Sequence, residues 1–187
     1  MKILNDSPLN NSIIYQYSKN PTIYGTFVKN NSANHTNKIS FGSEGNFPIC
    51  AKKVDDTLYR GSRPSKYDFS KLKDLGISTI IDLSVEEQDI DEEEYAKNYG
   101  MNYVSMPVDG FTNIPKDDQL KMFFNIIKQA KEQGEKVFVH CLYGEDRTGL
   151  MVNFYKLFYK LPVQDTVDTN FARHKLNGFL QRTKYKL

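Results

Sequence analysis

The sequence predicts an α/β domain: a single, mostly parallel sheet of four to five strands flanked by helices, preceded by an irregular N-terminal arm. Three observations carry this. The apolar runs Ile77–Leu83 and Val137–Val139 are short enough for buried strands and long helical patterns separate them. Glycines stand where helices should stop, at 76, 100 and 134. Helix followed by buried strand then repeats along the chain, which is how parallel sheets are built.

Residues 1–46 differ from the rest: they are dense in Asn and Ser, with apolar islands at Ile13–Tyr17, Ile23–Val28 and Ile39–Phe41. They are read as an arm that packs onto the domain. A partner-binding arm using Tyr15, Tyr17, Tyr24 and Phe27 is the less favoured reading. The domain proper, 47–187, is expected to begin near Phe47. Val54–Arg60 suggests a hairpin with Asp55 and Asp56 in the turn, and GSRPS then breaks the chain. Ser70–Leu75 is helical, and Ile77–Leu83 is an interior strand. Eight acidic residues crowd Asp82–Glu94 and are assigned to a solvated helix, Glu86–Asn98, in preference to a calcium loop, whose spacing they do not match. Asn102–Met106 is the next strand, and Lys116–Glu132 is a helix with Leu120, Phe123, Phe124, Ile127 and Ala130 on one side. After a helix beginning near Gly149, Leu161 and Pro162 lead into a helical segment Val163–Phe171. Arg173–Leu187 is a basic tail, read as a solvated helix face rather than a membrane or polyanion surface.

With 187 residues, 39% of them hydrophobic and 26% charged, the chain suffices for one sizeable core. The formal net charge of +2 and three scattered histidines, 35, 140 and 174, give neither a nucleic-acid stripe nor a histidine-rich metal cluster. No apolar run is long enough to span a bilayer, and MKILNDSPLNNS lacks the apolar core of a secretory signal. A cytoplasmic protein is expected, with export by a signal-independent route left open. Oligomeric state is not readable.

The chemistry concentrates in VFVHCLYGEDRTGL, residues 137–150. A strand that hands a short loop to a helix N-terminus gathers backbone N–H groups and the positive end of the helix dipole into one anion-binding concavity. Cys141 opens this loop and Arg147 closes it, with Leu142, Tyr143, Gly144, Glu145 and Asp146 between. Amides and a guanidinium stabilise a thiolate, which is the nucleophilic form of cysteine. Arginine matches two phosphoryl oxygens with paired N–H groups, which lysine cannot do. Such a ring of donors favours a phosphoryl-transfer transition state without a metal. Gly144 and Gly149 are expected to let the loop bend close to phosphate, and Thr148 to donate its hydroxyl to the Cys141 sulfur. His140 is expected to brace the loop by hydrogen bonds to loop carbonyls or groups beside the sulfur. Cys50 is read as an ordinary buried cysteine, a reversible disulfide with Cys141 being the less favoured reading.

HCLYGEDRTG, with Cys141, five residues, Arg147 and Thr148, resembles the signature of the cysteine-dependent protein tyrosine phosphatase superfamily. LYRGSRPS, LGISTIIDLS, YVSMPVDGF and the long helix before VFVHC are similar in order and spacing to its small dual-specificity-like and atypical microbial members, from about residue 47 onward. The resemblance implies a tyrosine-phosphatase-like fold and hydrolysis of phosphomonoesters through a phosphocysteine, with no cofactor or metal. It also implies a general acid on a loop at a similar interval before the cysteine, a place that Asp109 fits. Asp146 is the alternative acid, and Asp117 and Asp118 are read as helix N-terminal residues. Arg60 and Arg63 are weak candidates for the substrate rim. The expected partner is a phosphorylated protein or a small phosphomonoester. Glu145 in the loop tilts the choice to phosphotyrosine or dual specificity, with a phosphoinositide or inositol polyphosphate as runner-up. A non-catalytic phosphate-binding module is the rival, disfavoured because a binder has no need of the nucleophile.

Overall fold

The computed structural model describes residues 51–87, 90–164 and 166–185. The arm, its aromatic cluster, the boundary at Phe47 and Cys50 therefore lie outside the described residues. Ten elements follow in order: β1 (Ala51–Lys53), β2 (Leu58–Ser62), α1 (Asp68–Asp74), β3 (Ile77–Asp82), α2 (Glu92–Asn98), β4 (Asn102–Ser105), α3 (Asp117–Gln133), β5 (Lys136–Cys141), α4 (Asp146–Phe158) and α5 (Val167–Thr183). The five strands form one sheet in the order β1-β2-β5-β3-β4. Only β1 is antiparallel, to β2; the rest are parallel. The mostly parallel sheet predicted from the sequence is thus present, with β5 at its centre.

Strand alternation splits the core into two layers. Val137, Val139 and Cys141 of β5 face the layer filled by Phe123, Phe124 and Ile127 of α3, Met151 and Phe154 of α4, and Phe179 of α5. Phe138 points the other way, toward Phe69, Leu72 and Ala96 of α1 and α2. Side chains one residue apart on a strand occupy opposite faces, so His140, stacked on Phe138 at 5.5 Å between ring centroids, is on the face opposite Cys141.

Asp55 organises the β1–β2 turn. Its carboxylate accepts from the amides of Thr57 and Leu58, at 2.9 and 2.8 Å, and from the Tyr155 hydroxyl of α4. Burial pushes the Asp55 carboxyl up, but these donors outweigh it and hold the carboxyl below its ordinary range. The hairpin is thereby bolted to the helix that follows the Cys141 loop.

Two elements differ from the sequence reading. The acidic helix starts at Glu92, not Glu86, because Asp91 caps it by accepting from the Glu94 amide at 2.9 Å. The backbone carbonyls of Glu86 and Glu87 meanwhile accept from Arg63 at 3.1 Å each. Nor is the helix wholly solvated: Glu92 is fully buried. Where the sequence suggests two segments, 163–171 and 173–187, one helix, α5, runs through Val167–Thr183, beginning only where Thr166 accepts from the Thr169 amide at 3.1 Å. Its Ala172, Leu176 and Phe179 are buried, so one side of the basic tail is core.

Replacing Asp55 by Ala should cost about 2–3 kcal/mol, since it strands two amides and a buried hydroxyl, whereas Tyr155→Phe should cost about 1 kcal/mol. Urea unfolding of the two variants checks the ranking.

Candidate active site

β5 ends at Cys141, between the ends of β2 and β3. Leu142–Glu145 then loop onto α4, whose first residue is Asp146. The Glu145 side chain does not cap this helix. The amides of Asp146, Arg147 and Thr148 have no acceptor within the helix, since the first helical bond is from Gly149 to the Glu145 carbonyl. The sequence-predicted anion-binding helix N-terminus therefore has its donors, and Cys141, a free and buried thiol, stands at the base of the loop.

Gly144 is what lets the loop curl. Its φ is +74°, and a Cβ there would lie 2.4 Å from the carbonyl of Gly61 and 2.6 Å from the amide nitrogen of Ser62. The Cys141 loop thus rests backbone on backbone against the end of β2, a contact strengthened where the Arg63 amide donates to the Leu142 carbonyl at 3.2 Å. Gly149, by contrast, has no such need: it sits in the first turn of α4, and a Cβ on it would meet Arg60 Nη2 at an ordinary 3.7 Å. Its predicted bending role is corrected accordingly.

Arg147 is buried and forked onto Glu86, Nη2 to Oε1 at 2.6 Å and Nη1 to Oε2 at 3.0 Å, with Nη1 also 3.4 Å from the Leu83 carbonyl. These bonds occupy the terminal edge of the guanidinium. Its side edge, Nε–H with the second Nη2–H, is the edge left for two oxygens of an anion. The Arg147 hydrogen bond holds the Glu86 carboxyl down at about 2, so the pair stays charged through the whole neutral and mildly acidic range. Glu86 was missed from sequence, where it was one acid among eight.

Arg63 does not lie open at a rim. It grips the carbonyls of Glu86 and Glu87 and brings Nε to 3.4 Å from Oε1 of the buried Glu92. In this way it fixes the loop that presents Glu86 to Arg147. Arg60 donates to the Gly144 carbonyl. Burial lowers its guanidinium from the ordinary value, while Cys141 and Glu145 act in the opposite sense. A second cation is thus tied to the loop's backbone from the β2 side.

His140 is placed between two carboxylates, its Nε2 3.1 Å from Glu92 Oε2 and its Nδ1 3.7 Å from Asp82 Oδ1. The 3.1 Å approach is poorly aligned for a hydrogen bond, and neither ring nitrogen makes one. The ring braces the reverse face of the sheet; only the backbone carbonyl of His140, accepting from the Leu83 amide at 2.8 Å, acts near the loops. The expectation that the ring bonds loop carbonyls or groups beside the sulfur is corrected by strand alternation. Asp82, Glu92 and His140 are the one group among the described residues with metal-ligating types this close together. The two ring nitrogens address different carboxylates and Arg63 already places a cation against Glu92, so the donor set suits charge pairing better than a metal. Thr148 is buried and its hydroxyl makes no hydrogen bond, so the predicted bond to Cys141 is not formed.

Asp109 lies on the loop after β4, whose backbone is tied to β3 by Val108 N to Leu83 O at 3.0 Å. Gln119 of α3 steadies the same loop by donating to the Pro107 carbonyl at 2.7 Å. The Asp109 carboxylate is exposed and turned on its own loop, accepting from the Thr112 amide and hydroxyl at 2.7 and 3.0 Å and from the Phe111 amide at 3.1 Å. The Thr112 bonds hold it below the usual carboxylate range. Asp146 is exposed in the first turn of α4. Asp117 pairs with Arg182 of α5 at 2.7 and 2.8 Å, a tertiary contact in place of the expected amide capping.

A parallel sheet with this loop at the end of its central strand defines a cysteine-dependent phosphatase of the PTP/DSP type. The model of the family described as "DSP-PTPase phosphatase fused to NAD+ Kinase" matches residues 29–184, and the chain belongs to that family. The match takes in residues 29–46, which the sequence reading assigned to the arm. Among curated relatives, inositol diphosphatase DSP2 of Oryza sativa is 24% identical over 141 residues, 72% of this chain and 68% of that protein. Phosphatidylglycerophosphate phosphatase PTPMT2 of Arabidopsis thaliana is 24% identical over 108 residues, 58% of this chain, which thus spans about half, 47%, of that relative's length. The solved structure of P. aeruginosa TpbA in complex with pTyr shares the fold with a TM-score of 0.53 at 18% identity, covering 76% of this chain and 100% of that one.

Two variants test the site. Gly144→Ala forces the loop off β2, and a displacement of about 1 Å at the reacting atoms should lower kcat/KM by about 10²-fold, with a lowered melting temperature because the residue stands at positive φ against backbone. Glu86→Gln should lower kcat/KM about tenfold by loosening Arg147. Because the folded pKa of Glu86 lies below 4.5, its stabilising effect is fully present above pH 4.5 and is lost as pH falls through about 2. The melting-temperature gap between wild type and Glu86→Gln should follow that course.

Proposed function

We propose that Cys141 attacks the phosphorus of a phosphomonoester, that the phosphoryl group passes to its sulfur as the ester oxygen departs, and that water then releases phosphate and restores the thiolate. The observation that carries the reading is the pairing of Cys141 with an Arg147 whose terminal edge is held by Glu86 and whose side edge is left for the phosphoryl oxygens. The α4 amides supply the remaining donors, so charge developing on the equatorial oxygens meets fixed dipoles that need no reorganisation.

Asp109 is the proposed acid and, in the second step, the base toward water. In the described conformation its carboxylate is an acceptor for Thr112 and Phe111. Turning toward the pocket exchanges those donors for the negative phosphoryl group, which raises its pKa toward that of a working acid. Asp146, already beside Arg147 in sequence, is the alternative. The proposed substrate is a phosphotyrosine or similar aryl phosphoester in a cytoplasmic setting. Inositol phosphates are the second reading, favoured by the name of the rice relative, inositol diphosphatase. Among the described residues no helix is long and apolar enough to cross a membrane.

Cys141→Ser should abolish turnover of an aryl phosphate while phosphate or vanadate still binds; undiminished turnover would remove the mechanism. Asp109→Asn should lose about 10²- to 10⁴-fold on alkyl phosphates with poor leaving groups and far less on an activated aryl phosphate. Steady-state kinetics on both substrates, repeated with Asp146→Asn, assigns the acid.

A further inference from the structure

Tyr67, Val85, Phe111 and Tyr143 are large apolar side chains with 71, 51, 96 and 76% of their surface exposed. Each stands on a different loop, and the four loops are those leaving β2, β3, β4 and β5 at the end of the sheet that carries Cys141. The loops are neighbours. Arg63 joins the first to the Cys141 loop through the Leu142 carbonyl, Arg147 joins the Cys141 loop to Glu86, and a Cβ on Gly110 would lie 3.3 Å from Val85 Cγ2. One face therefore offers an exposed apolar tip on every loop around the nucleophile. A clustering of this kind marks a contact surface, whereas single exposed apolar residues do not.

The charges on the same loops decide what fits. Glu87, Asp109, Glu145 and Asp146 are exposed, against Lys66, which lies over the Tyr67 ring at 5.0 Å, and Lys116 at the start of α3. An anionic bilayer approaching this edge would set its phosphates against four carboxylates. A peptide bearing Lys or Arg beside its phosphorylated residue would instead pair its cations with them while apolar neighbours met the aromatic tips. We propose that this edge is a docking surface for a phosphorylated peptide segment with basic residues flanking the phosphoresidue. The proposal rests on the phosphomonoesterase reading and names its substrate class.

The test compares kcat/KM for two phosphotyrosine peptides of one length, flanked by Lys and Arg or by Asp and Glu, with a small aryl phosphate as reference. A third arm uses anionic vesicles containing a phosphorylated lipid. The basic-flanked peptide should lead the acidic one by about tenfold or more, equal to about 1.4 kcal/mol, chiefly through KM, and the gap should narrow with added salt. The double variant Glu87→Lys, Phe111→Ser should shrink the gap to under about threefold, each peptide being referred to the same variant's own turnover of the small aryl phosphate. Equal or reversed peptide preference, or faster hydrolysis of the vesicle lipid than of the basic peptide, would overturn the proposal. Should no substrate be hydrolysed, the catalytic reading falls by itself. Docking is then read from anisotropy of the labelled peptides on Cys141→Ser protein, where tighter binding of the basic peptide supports the surface and equal binding overturns it.

Discussion

The bidentate contact between Arg147 and Glu86 is what makes the phosphate loop a defined object. Arginine carries donors on two edges, and a guanidinium free to rotate would present either one to an incoming anion. With its terminal edge locked at 2.6 and 3.0 Å, the side edge is the one left for an anion. Glu86 in turn owes its position to Arg63, which holds the backbone of residues 86 and 87 from the β2 side. Three loops, from β2, β3 and β5, are thus joined through two guanidinium groups, and each of these strands pairs with or adjoins the central one. The arrangement keeps donors in place before a substrate arrives, so less reorganisation accompanies the reaction.

The thiol benefits from the same economy of position. Cys141 is the last residue of a central parallel strand, paired with Ser62 of β2 on one side and following directly on His140, the last residue paired with β3, on the other, and Arg60 from β2 reaches the loop beside it. Alternation along β5 sends His140 to the opposite face, where Asp82 and Glu92 surround it. The buried charges behind the sheet and the nucleophile in front of it are therefore separated by the backbone of one strand. Burying so polar a group is costly unless its members face partners, and here Arg63 approaches Glu92 while the Ser84 amide and the Tyr103 hydroxyl donate to Asp82.

What could be read from the sequence follows physical range. The strands 77–82 and 136–141, the α3 periodicity and the stop at Gly134 depend on neighbours within a few residues, and all appear where local pattern put them. The Cys141 loop was legible because its donors are backbone groups whose direction follows from strand, turn and helix in succession. Glu86 was not, because its partner is 61 residues away and nothing local separates it from the other acids of Asp82–Glu94. The same reason hid Arg63 as a clamp and the Asp82, Glu92 and His140 cluster, which three separate elements assemble. The late start of α2 is a consequence of these tertiary contacts overriding helical propensity. Thr166, by contrast, sets the start of α5 by a local cap on the Thr169 amide, which the apolar pattern alone did not single out.

The central claim is that phosphate leaves through a covalent bond to Cys141. Mixing the full-length protein with an activated aryl phosphate, quenching in neutral to alkaline denaturant within a turnover and mapping the peptides by mass spectrometry without acid exposure tests this directly. The account predicts one added phosphoryl group on the peptide containing Cys141, bound to sulfur, appearing before free phosphate accumulates. Phosphate released in the first turnover with no phosphoryl group on the protein, or with the group on another residue, would contradict it.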